Sequence, residues 1–75
     1  SVIRFYDYRG TMNFDLLKAI REKGLRQRDF AKLVDDHESV VSWIVNGIWV
    51  PDRMRKIKYA KALGIRMEDL FEVED

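Results

Sequence analysis

Apolar residues recur at steps of three and four in two adjacent stretches, Phe30, Leu33 and Val34, then Val40, Val41, Ile44 and Val45. Each set has the spacing of one buried helix face. The pattern predicts helices over about 27–34 and 38–46, joined by the polar bend Asp35-Asp36-His37. Ala31 falls where the first helix must let the second cross closely, because a larger side chain there would hold them apart. Two short helices crossing at a tight bend make a helix-turn-helix, a unit whose second helix characteristically enters a DNA major groove.

The same reading places three more helices. One runs about 13–23, with Asn13 as N-cap, Asp15 in the first turn, and Leu16, Leu17 and Ile20 inward. Gly24 is its left-handed stop, and Asn46-Gly47 ends the second helix of the motif in the same way. A fourth helix is expected over about 52–63, entered through Pro51 and Asp52, burying Met54, Ile57, Ala60 and Leu63. Gly64 stops it, and a short turn at about 67–72 docks Met67, Leu70 and Phe71. The connection Ile48-Trp49-Val50 is unusually apolar for a loop.

Residues 1–11 break the pattern, being aromatic-rich and β-prone without helical periodicity. They are read as an N-terminal arm or edge strand, or as a leader foreign to the domain. Residues 12–75 are then the helix-turn-helix domain.

Composition narrows the function classes. With 47% hydrophobic residues and one proline the chain suits a packed domain, near the lower size limit for a self-sufficient core. It has no cysteine, so disulfides and thiolate metal sites are excluded. No run approaches a membrane span and no signal peptide is visible, so a cytoplasmic protein is expected. Its single His and scattered carboxylates assemble no metal site and no nucleophile–base pair, so neither an enzyme nor a cofactor or small-molecule ligand is expected. The net charge is only +1, but Glu68, Asp69, Glu72, Glu74 and Asp75 crowd the end. Residues 1–67 therefore carry a clear positive excess, a solvated surface singly and a candidate nucleic-acid footprint as a group.

Gly24-Leu25, Gln27, Phe30-Ala31, Val41, Ile44, Asn46-Gly47, Pro51 and the run Ala60-Lys61-Ala62-Leu63-Gly64-Ile65 followed by Glu68-Asp69-Leu70-Phe71 stand in one register over residues 14–72. In that register the chain resembles the Cro and phage-repressor helix-turn-helix family, the xenobiotic-response-element type. The resemblance implies an all-α, compact five-helix, lambda-repressor-like domain that binds double-stranded operator DNA, usually as a homodimer.

Some positions depart from the family. Arg26 stands where a Ser or Thr cap is usual, and Asp35 replaces the turn glycine, although Asp is among the residues able to visit αL. Asp36 replaces an apolar residue and is read as a cap for the next helix. Ile20 and Val45 replace together an Arg and a Glu that pair inside many relatives, a joint change that can be neutral or stabilising. The two are expected to touch.

On that docking the outward face of helix 38–46 comprises Glu38, Ser39, Ser42, Trp43 and Asn46. Glu38 can accept from cytosine N4, Ser39 and Ser42 can bond several base edges, and Trp43 can cover a thymine methyl or the backbone wall. By carry-over Gln27 holds one phosphate, and Asn46 with Gly47 holds another. Arg28, Lys32, Arg53 and Lys56 are candidates for flanking phosphates, and His37 for a helix cap or a phosphate contact. Plainer readings stand beside these: Glu38 answers the helix dipole, Trp43 packs on the Trp49 loop or a partner chain, and Lys58 and Tyr59 have ordinary surface and packing roles. The expected function is sequence-specific transcription regulation by a phage-type repressor or antitoxin-like protein. The alternative is a protein-interaction module that keeps the scaffold without binding DNA.

Overall fold

The structure, a computed structural model, describes residues 12–71, and among them the chain is helical with no strand. The helices are α1 (Phe14–Glu22), α2 (Gln27–Leu33), α3 (Glu38–Val45), α4 (Arg53–Leu63) and α5 (Met67–Leu70). The arm or edge strand expected for residues 1–11 lies outside the described residues, as does the end of the chain beyond Phe71. No helix among the described residues is long and apolar enough to cross a membrane.

Local chemistry accounts for the helix starts. The Asn13 Oδ1 accepts from the Leu16 N–H at 3.0 Å and caps α1. The Asp52 Oδ1 does the same for the Arg55 N–H at 2.9 Å, opening α4 after the buried Pro51. Arg26, where a Ser or Thr would be the better cap, makes no side-chain cap bond. Half of a capping box compensates, because the Asp29 carboxylate accepts from the Arg26 backbone N–H at 3.2 Å.

The first four helices end alike. After each, one residue takes a left-handed conformation, and the next N–H reaches back to a carbonyl in the last turn: Leu25 to Ile20, Asp36 to Ala31, Ile48 to Trp43 and Ile65 to Ala60. Glycine fills this position at three ends, where a Cβ would strain the backbone. At the end of α2 it is Asp35, with φ of 60°. This is the expected accommodation of Asp in αL.

Leu16, Ile20, Phe30, Val41, Val45 and Tyr59 are the largest fully enclosed side chains. Ala31 is also buried, and α2 and α3 pack more extensively on one another than any other pair of helices. Phe30 meets Tyr59 edge to face, with ring centroids 4.9 Å apart. Ile20 and Val45 lie in the same buried cluster. Asn13 then joins three elements. Its backbone N–H donates to the Val45 carbonyl at 2.7 Å, and its Nδ2 donates to the Leu70 carbonyl at 2.9 Å.

Two apolar residues expected inside are outside. Met54 is 74% exposed and Leu33 57%. Met54, Ile57, Ala60 and Leu63 form a row spaced by three, which drifts about 60° per step around a helix of 3.6 residues per turn. Such a row begins outside and spirals in, so only Ala60 and Leu63 are buried, with Tyr59 completing the inward face. Leu33 lies about 100° from the line through Phe30, Ala31 and Val34, the residues that face the core.

Candidate nucleic-acid interface

α3 carries the candidate surface. Val41, Ile44 and Val45 are buried on one side, while Glu38, Trp43 and Asn46 are exposed and Ser39 and Ser42 half-exposed on the other. None of the five enters the interior. His37 begins the helix as its cap: its Nδ1 accepts from the Ser39 N–H at 3.0 Å. At the far end the Asn46 Nδ2 donates to the Ser42 carbonyl at 2.8 Å and approaches the Ser42 Oγ at 3.2 Å.

The capping role expected of Asp36 therefore belongs to its neighbour His37. The Asp36 side chain, 5% exposed, turns away from α3 and toward α4. The Arg55 guanidinium grips it with two bonds, Nε at 3.0 Å and Nη2 at 3.2 Å. The Lys58 Nζ donates at 3.2 Å and the Tyr59 hydroxyl at 2.8 Å. The Trp49 ring lies 5.1 Å from the Arg55 guanidinium carbon, so the apolar loop closes over the same group. Lys58 and Tyr59 keep the surface and packing positions expected of them, and their bonds to Asp36 also fasten α4 to the bend from which α3 departs.

Charge follows this geometry. Burial alone would push the Asp36 carboxyl up, but bonds from Arg55, Tyr59 and Lys58, with the Arg55 charge, outweigh it and hold the pKa below its ordinary value. The Arg55 pKa is raised by its bond to Asp36, against a smaller opposing effect of burial. Burial, reinforced by the bond to Asp36, pushes the Tyr59 phenol well above the ordinary tyrosine range.

The expected phosphate contacts fall into unequal groups. Arg28 and Lys32 on α2, His37 before α3, and Arg53 at the start of α4 are all exposed. Lys56 is half-buried, and its Nζ sits 5.8 Å from the centre of the Phe71 ring. Gln27 is half-buried at the first position of α2, where the opening N–H groups of a helix have no partner within it. At the Asn46–Gly47 bend the backbone N–H groups of Asn46, Gly47, Ile48 and Trp49 all donate to carbonyls of α3. That bend has no spare backbone donor for a phosphate.

Trp43 on α3 and Ile48, Trp49 and Val50 after it are exposed large apolar residues, and Met54 adds another on α4. No group of His, Asp and Glu among the described residues is arranged to hold a metal. A recess of about 310 Å³ between α1 and the start of α2, lined by Leu17, Ile20, Arg21, Leu25, Arg26 and Gln27, contains no nucleophile–base pair. The Asp36 cluster was missed in the sequence because its partners lie 19 to 23 residues away. A lone acidic residue where the family resemblance leads one to expect an apolar one was the available signal.

No protein-family model, curated protein or solved structure matches the chain.

Proposed function

We propose that this protein is a sequence-specific DNA-binding regulator, a phage-type repressor or antitoxin-like protein, that reads operator DNA with α3. The observation that carries the reading is the state of that helix. One face is buried against α1 and α2, and among the described residues the other presents two half-exposed hydroxyls and an exposed carboxylate, amide and indole. The five helices are read as a lambda-repressor-like arrangement, on the strength of their order, the left-handed stop at Asp35 and the buried Ala31. In the mechanism proposed, two copies of α3 enter successive major-groove faces about one helical turn apart on a pseudo-palindrome. Arg28, Lys32 and Arg53 supply affinity through phosphate contacts and counterion release.

Titration of the protein against mixed duplexes over a range of salt concentrations tests this. The expected result is association that weakens steeply as salt rises, with tighter binding to a subset of sequences. Absence of salt-dependent association with any duplex would shift the reading to a protein-interaction module. The exposed run Trp43, Ile48, Trp49 and Val50 favours that second reading, because a grouped apolar surface often marks an interface. It also suits the contact between two copies on one operator, so sedimentation with and without duplex separates the two.

A further inference from the structure

The hydrogen bonds at the end of α3 restrict what that helix can recognise. Asn46 is the last residue of its exposed strip, and its amide orientation is settled by chemistry. The atom 2.8 Å from the Ser42 carbonyl must be the donor nitrogen, because two carbonyl oxygens would repel. Oδ1 is therefore the atom left free, and no donor among the described residues reaches it. Ser42 accepts at its Oγ from the same nitrogen, so its own proton is available to donate outward.

An Asn that reads adenine in two-point fashion must accept from N6 and donate to N7. The amide nitrogen of Asn46 is already engaged with Ser42, so Asn46 is an acceptor in this setting. Glu38 at the other end of the strip is an acceptor as well. No Arg or Lys occurs anywhere on α3, so the strip lacks the forked donor that most often reads guanine O6 and N7. Beside Asn46, three residues earlier in the chain, stands Trp43, 48% exposed, an apolar surface suited to a methyl group.

Resting on the DNA-binding reading, we infer that α3 selects base pairs presenting an exocyclic amine to Asn46 and a 5-methyl group to Trp43. The complementary chemistry is the N6 amine of adenine or the N4 amine of cytosine at one position. A thymine, whose methyl meets the indole, stands at a neighbouring one. Guanine under Asn46 places a carbonyl oxygen against a carbonyl oxygen and is rejected. The Ser42–Asn46 pair is thus the specificity-determining unit, with Ser42 holding the amide in its acceptor orientation.

Selection of bound duplexes from a random pool, repeated with Asn46→Ala and Asn46→Lys, tests the inference. The wild-type protein is expected to enrich A or C at one position per half-site and T beside it, with guanine disfavoured about fivefold or more. Asn46→Ala should make the first position indifferent among the duplexes it binds, and Asn46→Lys should turn it toward guanine. In the selected duplex, replacing a selected adenine by purine, or a selected cytosine by 2-pyrimidinone, removes the amine, and replacing thymine by uracil removes the methyl. Each should weaken the wild-type protein, but the amine deletion should leave Asn46→Ala unaffected and the methyl deletion should leave Trp43→Ala unaffected. Salt-dependent binding with guanine at the Asn46 position, or binding indifferent to the amine, overturns this inference and leaves the DNA-binding reading standing. No salt-dependent association with any duplex overturns both.

Discussion

Tyr59 donates its hydroxyl proton to Asp36 across 2.8 Å, joining the middle of α4 to the bend from which α3 departs. The tyrosine ring is fully enclosed and packs against Phe30, so the bond anchors the bend to the deepest part of the core. Arg55 and Lys58 complete the carboxylate's shell from the exposed side. The orientation of α3 is therefore set by a hydrogen-bonded charge as well as by hydrocarbon.

Asp36→Ala is expected to destabilise the domain by about 2–4 kcal/mol, because it strands a buried hydroxyl and removes the acceptor of two cations. Arg55 and Lys58 remain partly exposed, which keeps the loss below that of a fully enclosed ion pair. Equilibrium denaturation measures it. A loss under about 0.5 kcal/mol, the range typical of surface substitutions, would remove Asp36 from the account of stability. Tyr59→Phe combined with Asp36→Ala should be less than additive, since the two residues share one bond.

Stability should also depend on pH at the acid end. The folded Asp36 carboxyl lies below its ordinary value of 3.8. Its contribution is therefore fully present above that unfolded value and fades as pH falls through the folded one. Thermal melts between neutral pH and strong acid should show this fall, and Asp36→Asn should flatten part of it. An identical acid limb in the two proteins would count against the assignment.

The alkaline limb belongs to Tyr59. Its folded pKa is raised above the ordinary 10.0, so the neutral phenol is favoured in the fold. That stability is complete below the unfolded value and is lost as pH climbs beyond it. Phenolate absorbance followed during alkaline titration should contain one tyrosine that ionises only as the helical signal collapses. In Tyr59→Phe that late component should be missing, and its persistence would assign it elsewhere.

Asn13→Ala should cost more than an ordinary lost cap, which is typically about 1 kcal/mol. The change removes the bond to the Leu16 N–H and leaves the Leu70 carbonyl without its donor. Chemical denaturation should give about 1.5–3 kcal/mol. Asn13→Asp, which keeps the cap but loses the Nδ2 donor, should fall between the alanine variant and wild type. Equal losses in both variants would mean that the Leu70 bond carries the whole effect.

On the proposed interface, Arg28→Ala should weaken every duplex to a similar extent and lower the salt slope by about one. Ser39→Ala should leave that slope alone and change the preference at particular base pairs. Measuring both variants on the same panel of duplexes separates affinity from sequence reading. A sequence-dependent loss in Arg28→Ala would reverse its assignment.

The sequence by itself determined what depends on neighbours along the chain. Helix extents follow from apolar spacing, Asn13 and Asp52 from first-turn capping, and Asp35 and the glycines from the demand for positive φ at helix ends. Even the Ser42–Asn46 bond is local, an i to i+4 contact within reach of a sequence reading. Tertiary structure decided which side of α4 faces inward. That helix has apolar residues on both sides and five cations around it, so its own pattern does not select a buried face. Packing placed Tyr59 inside, left Met54 outside, and turned Asp36 toward Arg55, Lys58 and Tyr59. A carboxylate finds partners 19 to 23 residues away only when the whole chain has folded, and helical periodicity holds no record of that distance.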